Sequence, residues 1–188
     1  RYQLPVIHLI DKALANSSRS YGMFDPSRIG IDRGQLLDRA EVKGQEYRRF
    51  QFSESGVSPR VPLGTPGTVF WNTGYEHSEL GHINEEPINR TLMIDKRMRK
   101  LETADREIPL QERVNLFGNP DAPVTVVSWG SPKGAILEAV ERLGQEGYTV
   151  SFIQVRMPHP LPKRYMAEVL DKAEKKIVVE GNYTAQLA

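Results

Sequence analysis

Cysteine is absent from all 188 residues. That excludes a disulfide within the chain, a thiolate zinc site and a cysteine-ligated iron–sulfur cluster. No run approaches 18 consecutive apolar residues, so nothing reads as a membrane-spanning helix. Charge of one sign is not in excess either. Lys and Arg total 25 and Asp and Glu 24, and the formal +1 is too weak a field to point to nucleic acid or an anionic membrane. Internal repeats and low-complexity tracts are missing. Apolar residues make up 39%, enough for a core but thin, which predicts a long polar loop or surface reserved for a partner. A cytoplasmic location is the expectation for this composition.

What is present begins at Arg1-Tyr2-Gln3-Leu4-Pro5, with neither methionine nor a signal-like segment, and stops at Gln186-Leu187-Ala188, where a helical pattern has just begun. The two ends predict a fragment of a longer polypeptide. Leu4 to Asp11 (LPVIHLID) predicts a buried strand rich in β-branched residues, with Asp11 capping a helix over Lys12 to Ala15. This is the grammar of an α/β layer, and residues 1–20 are expected to close such a domain. Residues 21–83 are rich in turn signals such as Asp25-Pro26, Ser58-Pro59 and Thr65-Pro66-Gly67. Within them, Tyr47 to Phe52 and Val69 to Thr73 have strand composition, and the stretch reads as an extended β-ribbon excursion that meets a partner through its aromatic residues.

Residues 84–122 predict a helix and a linker. The helix has Pro87 in its first turn, buries Ile88, Leu92, Met98 and Leu101, and carries a solvated basic face that includes Lys96. Residues 123–188 are the most regular. Val124 to Trp129, Tyr148 to Val155 and Ile177 to Glu180 predict strands; Ala135 to Gln145 and about Tyr165 to Ala173 predict the helices between them. That order, β-α-β-α-β, implies parallel strands joined by right-handed crossovers and an α/β fold class.

Four groups of residues bear on chemistry. The turn Gly130-Ser131-Pro132-Lys133-Gly134 lies between strand and helix, where a phosphate can meet main-chain N–H groups, although its spacing matches neither common phosphate-binding motif. It reads as a structural turn or an anion contact. Glu76-His77-Ser78-Glu79-Leu80-Gly81-His82 gathers two carboxylates and two imidazoles, as a polar turn or a metal site. Arg60, stiffened by Pro59 and Pro62, is a surface arginine or an anion clamp. His8 is expected as a hydrogen-bonded core residue and His159 as a loop residue. No Ser/His/Asp arrangement is legible.

The runs Gly56-Val57-Ser58-Pro59-Arg60, Pro62-Leu63-Gly64-Thr65-Pro66-Gly67, Thr73-Gly74-Tyr75-Glu76-His77, Gly81-His82-Ile83 and Lys96-Arg97-Met98-Arg99-Lys100-Leu101 together resemble the 2-oxoacid:ferredoxin oxidoreductases of the pyruvate or 2-oxoglutarate type, in the C-terminal part of the α subunit. Val178-Val179-Glu180-Gly181-Asn182-Tyr183-Thr184-Ala185-Gln186-Leu187 is similar to the family's strand-then-helix motif, with Gly181 and Ala185 departing from it. The resemblance implies that residues 1–20 end a pyrimidine-binding-type domain and that 123–188 form a truncated transketolase C-terminal-like domain. It implies oxidative decarboxylation of a 2-oxoacid to acyl-coenzyme A with electrons to ferredoxin. Thiamine diphosphate, magnesium and an iron–sulfur cluster would be held by other chains and none by this one. The implied partners are a β subunit, or β and γ subunits, with no nucleic acid and no membrane. No residue here carries over as catalytic or metal-binding. Arg60, then His82, are the candidates to face substrate or coenzyme A. Two other readings stand beside this one: a stand-alone α/β nucleotide- or phosphate-binding module using Gly130 to Gly134, and a non-enzymatic scaffold subunit. The first would want an acid at the end of the second strand, where Val155-Arg156-Met157-Pro158 has none.

Overall fold

Alternating β-branched runs and glycine turns do produce the expected parallel layer. The computed structural model describes residues 1–188, apart from the side chains of Ala13 and Arg28. It divides into two units, Arg1–Val6 with Gly22–Ala104 and Ile7–Tyr21 with Asp105–Ala188. In the second unit, β2 (Val124–Trp129), β3 (Val150–Val155) and β4 (Lys175–Val179) are parallel, linked by α4 (Lys133–Gln145) and α5 (Lys163–Leu170). A fourth strand, β1 (Val114–Phe117), follows the one-turn helix α3 (Leu110–Arg113) and pairs antiparallel with β3, so the sheet order is β1-β3-β2-β4. The sequence predicts only a linker where β1 lies, because four residues are too short for a periodicity signal.

Val114, Val127, Ile153, Val155, Met166 and Val169 make the core between the sheet and α5. Phe152 and Ile153 have no solvent exposure, and burying such a side chain contributes roughly 1.5–3 kcal/mol. Polar residues inside the sheet are paired. Thr125 and Ser151, opposite each other in register, share a hydroxyl–hydroxyl bond of 2.9 Å, and the Ser128 hydroxyl donates to the Val179 carbonyl at 2.7 Å. Beside the sheet, the buried Arg113 guanidinium donates to the Asp105 carbonyl (2.7 Å), the Asp105 carboxylate and the Pro160 carbonyl (3.0 Å), with only its Nε left without a partner.

The strand expected over Leu4 to Asp11 does not form. Val6 and Ile7 are 92% and 81% exposed, no strand pairs with the segment among the described residues, and His8 is exposed rather than buried in a core. A β-branched composition favours extended backbone, but a strand exists only where another supplies hydrogen bonds. The short helix after it, α1 (Lys12–Ala15), is present, and the Ala15 amide donates to the Asp11 carbonyl at 2.9 Å. The closing residues after β4 form turns, not the start of a helix.

In the first unit the expected ribbon is replaced by turns and two isolated bridges, Leu36 with Arg60 and His77 with Ile83. Its aromatic residues pack on one another instead of all facing outward. Tyr47 is buried and stands edge-on to Phe70 at 6.1 Å, and Phe50 stands edge-on to Phe70 at 6.5 Å. Helix α2 (Pro87–Glu107) starts at the expected proline, but with the opposite face inward. Met93, Lys96, Thr103 and Ala104 are buried, whereas Ile88, Leu92 and Met98 are exposed. Among the described residues, no helix is long and apolar enough to cross a membrane.

Candidate functional site

The inward Lys96 explains why two motifs far apart in sequence belong together. Its ammonium donates to the Phe50 carbonyl at 2.6 Å and lies 6.0 and 5.9 Å from the Phe50 and Phe52 ring centres. Farther along α2, Arg99 donates to the Ser53 carbonyl (3.1 Å) and the Thr103 hydroxyl to the Ser55 carbonyl (2.8 Å). Residues 50–55, which have no ladder to satisfy their carbonyls, are thus bonded by one helix. Gly56 then turns with φ +76°, and a Cβ there would sit 2.9 Å from the Lys100 amide nitrogen and overlap the Lys96 carbonyl oxygen. Only glycine lets the loop approach so closely.

Burial, with Lys100 and Arg49 nearby, pushes Lys96 down to about 8, and the opposing charge of Glu79 does not restore it. Its folded value lies below the unfolded one of about 10.4. Between the two, the unfolded chain holds more protons, so the contribution of this group makes the protein more stable as pH rises through about 8 to 10.5. Urea titrations at pH 8 and 10 should show this alkaline gain, and Lys96→Met should reduce it, leaving the smaller share of Lys100, which burial also pushes down. An unchanged slope in the variant would show that Lys96 is not the group responsible.

From that anchored loop the chain passes through buried Ser58, whose hydroxyl donates to the Gln51 carbonyl (2.9 Å), to Arg60. The Arg60 main chain is fixed twice: its N–H donates to the Gln35 carbonyl at 2.9 Å and its carbonyl accepts from Leu37 at 2.8 Å. In the side chain, Nη2 donates to the Arg33 carbonyl at 3.0 Å, while Nε is buried without a partner. A buried donor with no acceptor costs about 1–3 kcal/mol; the half-exposed remainder of the guanidinium is the part a ligand can reach.

The acidic and imidazole cluster does not converge. Glu76 accepts two bonds from Arg97 (3.1 and 2.6 Å), and that bonding holds its carboxyl below the usual range despite burial. Glu79 accepts from Arg48 (2.9 Å) and from the Phe52 amide (2.7 Å). The His77 Nδ1 lies 2.9 Å from the Ser78 carbonyl oxygen, and its ring stands 4.1 Å from Phe50. His82 is exposed, 5.4 Å from the Trp71 ring. Both carboxylates are committed to arginines, and no group of three or more metal-capable side chains occurs among the described residues. The segment is a polar turn. Arg60 and His82 are anchored by separate sets of contacts.

In the second unit, chain leaving β2 and β4 at their carboxyl ends bounds a crevice of about 440 Å³. The connections through α4 and α5 run to opposite sides of β2, so this is the point where the winding of the sheet reverses. Here Gly130 turns with φ +71°, and the Ser131 hydroxyl donates to the Asp11 carboxylate at 2.9 Å. Glu180, missed as a functional residue by spacing alone, organises the other wall. It accepts from Trp129 Nε1 (3.2 Å), Asn182 Nδ2 (2.5 Å) and the Leu187 amide (2.8 Å). Burial opposes its ionisation, but these donated bonds outweigh it and hold the carboxyl below the usual range. Two carboxylates beside the turn disfavour a phosphate, so Gly130 to Gly134 serves as a turn.

Comparison with known proteins agrees with this geometry. The family described as "Transketolase, C-terminal domain" matches residues 117–186. A 2-oxoacid:ferredoxin oxidoreductase subunit alpha from Saccharolobus solfataricus is 46% identical over 191 residues, covering 99% of this chain and 29% of that protein. A 2-oxoacid:ferredoxin oxidoreductase 1, subunit alpha, from Aeropyrum pernix is 45% identical, with coverage of 99% and 29%. A solved 2-oxoglutarate:ferredoxin oxidoreductase from Magnetococcus marinus, with 2-oxoglutarate, coenzyme A and succinyl-CoA bound, superposes with a TM-score of 0.76 at 29% identity, over 87% of this chain and 27% of that one. The chain therefore spans less than a third of the length of these relatives.

Proposed function

Along nearly its whole length the chain is related to the α subunits of the 2-oxoacid:ferredoxin oxidoreductases, and on that basis we propose that it is a structural and interface portion of such a subunit. The assembled enzyme converts a 2-oxoacid and coenzyme A to acyl-coenzyme A and carbon dioxide, and the two electrons released pass to ferredoxin. A cytoplasmic location and a β subunit, or β and γ subunits, as partners belong to this reading. Thiamine diphosphate with its magnesium ion, and the iron–sulfur cluster, do not fit this stretch. It has no thiolate donor, and Glu76 and Glu79 are already bonded to Arg97 and Arg48. Those groups are assigned to other chains.

One observation carries a more direct role: the half-exposed guanidinium of Arg60, tied through Nη2 to the Arg33 carbonyl, on a loop whose main chain is fixed at both sides. A held guanidinium suits a carboxylate or phosphate oxygen. Arg60 is accordingly the residue proposed to contact the carboxylate of the 2-oxoacid or a phosphate of coenzyme A; His82, exposed beside Trp71, is the secondary candidate.

The test is assembly. The 188-residue chain alone should show no 2-oxoacid-dependent reduction of ferredoxin. Activity should appear only when it is produced as part of an α subunit together with a partner that holds thiamine diphosphate and a cluster. Turnover by the isolated chain would overturn the reading, as would failure to co-purify with such a partner. Tight dinucleotide binding by the isolated chain would favour the stand-alone module instead, against the two carboxylates beside the Gly130 to Gly134 turn.

A further inference from the structure

Strand β1 closes one edge of the sheet, and its outer side is equipped to take another strand. The Arg156 amide donates to the Arg113 carbonyl at 2.8 Å, which sets the phase of the antiparallel ladder. By the alternation of such ladders, Asn115 and Phe117 bond to β3, and Val114 and Leu116 turn their main-chain groups away from it. The Val114 N–H is used by the Leu110 carbonyl. The Leu116 N–H and carbonyl and the Val114 carbonyl have no main-chain partner on the outer side among the described residues.

A groove of about 570 Å³ follows this edge, lined by Leu110, Asn115, Leu116, Phe117, Lys133 and Tyr165 among others. Its two walls differ because side chains alternate across a strand. On one face Leu116 packs on the core beside Tyr165, with Leu110 38% exposed nearby. On the other face Asn115 pairs with Gln154 at 3.1 Å and Phe117 stacks on Phe152 at 5.5 Å. Lys133 lies on that second side, its ammonium 5.3 Å from the Phe117 ring centre, and it is the one charged side chain of the lining. The opposite edge of the sheet is different. Strand β4 begins Lys175-Lys176, two lysines of the kind that keep an edge unpaired, whereas β1 carries no charge in its four residues.

We propose that the β1 edge and its groove form a docking site for an extended polypeptide segment of alternating apolar and acidic residues, added as a fifth strand. Main-chain bonds to Leu116 supply attachment, apolar side chains lie on Leu110, Leu116 and Tyr165, and acidic side chains face Lys133. Charge complementarity selects the acid, because a lysine-bearing strand would place its ammonium groups against that of Lys133, the one charged side chain of the lining.

The probe is an acetylated, amidated heptapeptide alternating valine and glutamate, titrated into the full 188-residue chain, with a valine–lysine counterpart as control. The glutamate peptide should bind at least about tenfold tighter than the lysine peptide, and hydrogen exchange of the Leu116 amide should slow about tenfold on saturation. Lys133→Glu should invert the preference between the two peptides. Leu116→Pro removes an outward N–H that the β3 ladder does not use and should weaken binding about tenfold. Equal binding of both peptides, protection that spares Leu116, or absence of binding overturns the proposal. So does self-association of the chain that buries this edge and excludes the peptide, since the occupant would then be a second copy.

Discussion

Under the proposed function, Arg60→Ala in the assembled enzyme is expected to raise KM for the 2-oxoacid or for coenzyme A about ten- to a hundredfold, the range of one to two charge-assisted hydrogen bonds. The expectation comes from how the side chain is held. Nη2 donates to the Arg33 carbonyl, and the main chain is fixed at both sides, so the half-exposed guanidinium is oriented before any ligand arrives. A held fork loses less freedom on pairing with an anion than a freely moving arginine does. A change confined to KM for one of the two substrates identifies which anion is held; a matching fall in kcat would mean that the contact strengthens in the transition state. Arg60→Lys should recover only part of the loss, because a point charge cannot reproduce a planar fork. Unchanged kinetics in Arg60→Ala would reduce Arg60 to a strut between the loop and residues 33–37.

The second large effect is on stability. Gly81 has φ +87°, and a Cβ there would overlap the Trp71 carbonyl oxygen and stand 3.0 Å from the Phe50 ring. Left-handed backbone costs a non-glycine residue about 1–2 kcal/mol by itself. The overlap with main chain adds a further 1–3 kcal/mol, about the cost of overpacking a filled site. Gly81→Ala should therefore lower stability by about 3 kcal/mol and Tm by about 6–12 °C. Trp71 fluorescence should change at the same transition, because Trp71 is bonded to Leu80 through its own amide at 3.3 Å. Gly64 is the matched control, with φ +85° but nothing within 4 Å of an added Cβ. Gly64→Ala should cost only the backbone share. Equal losses in the two variants would show that the close approach at Gly81 contributes nothing.

The site was partly legible in the residues. Gly56, Arg60 and the Lys96 to Leu101 run could be singled out as motifs, but not joined. The link is a lysine that crosses to the Phe50 carbonyl, 46 positions away in sequence, and no local pattern encodes such a reach. The cluster from Glu76 to His82 is the reverse case. Its ligand-like composition is plain in the sequence, and only the placement of Arg48 and Arg97 shows that both carboxylates are already occupied. Glu180 is intermediate: its motif is visible, while its bonds to Trp129 and Leu187 depend on the fold bringing two strand ends together.

By itself the sequence determined the β-α-β-α-β order, the start of α2 at Pro87, the glycine turns and the absence of thiolate chemistry. Each of these follows from local backbone preference or from atoms that are simply missing. The tertiary structure alone decided that Leu4 to Asp11 forms no strand, that β1 exists, and that α2 buries Lys96 while exposing Ile88 and Met98. Periodicity can show that a helix has two faces. Which face turns inward depends on the carbonyls that need donors, and strand pairing depends on a partner that local sequence does not specify.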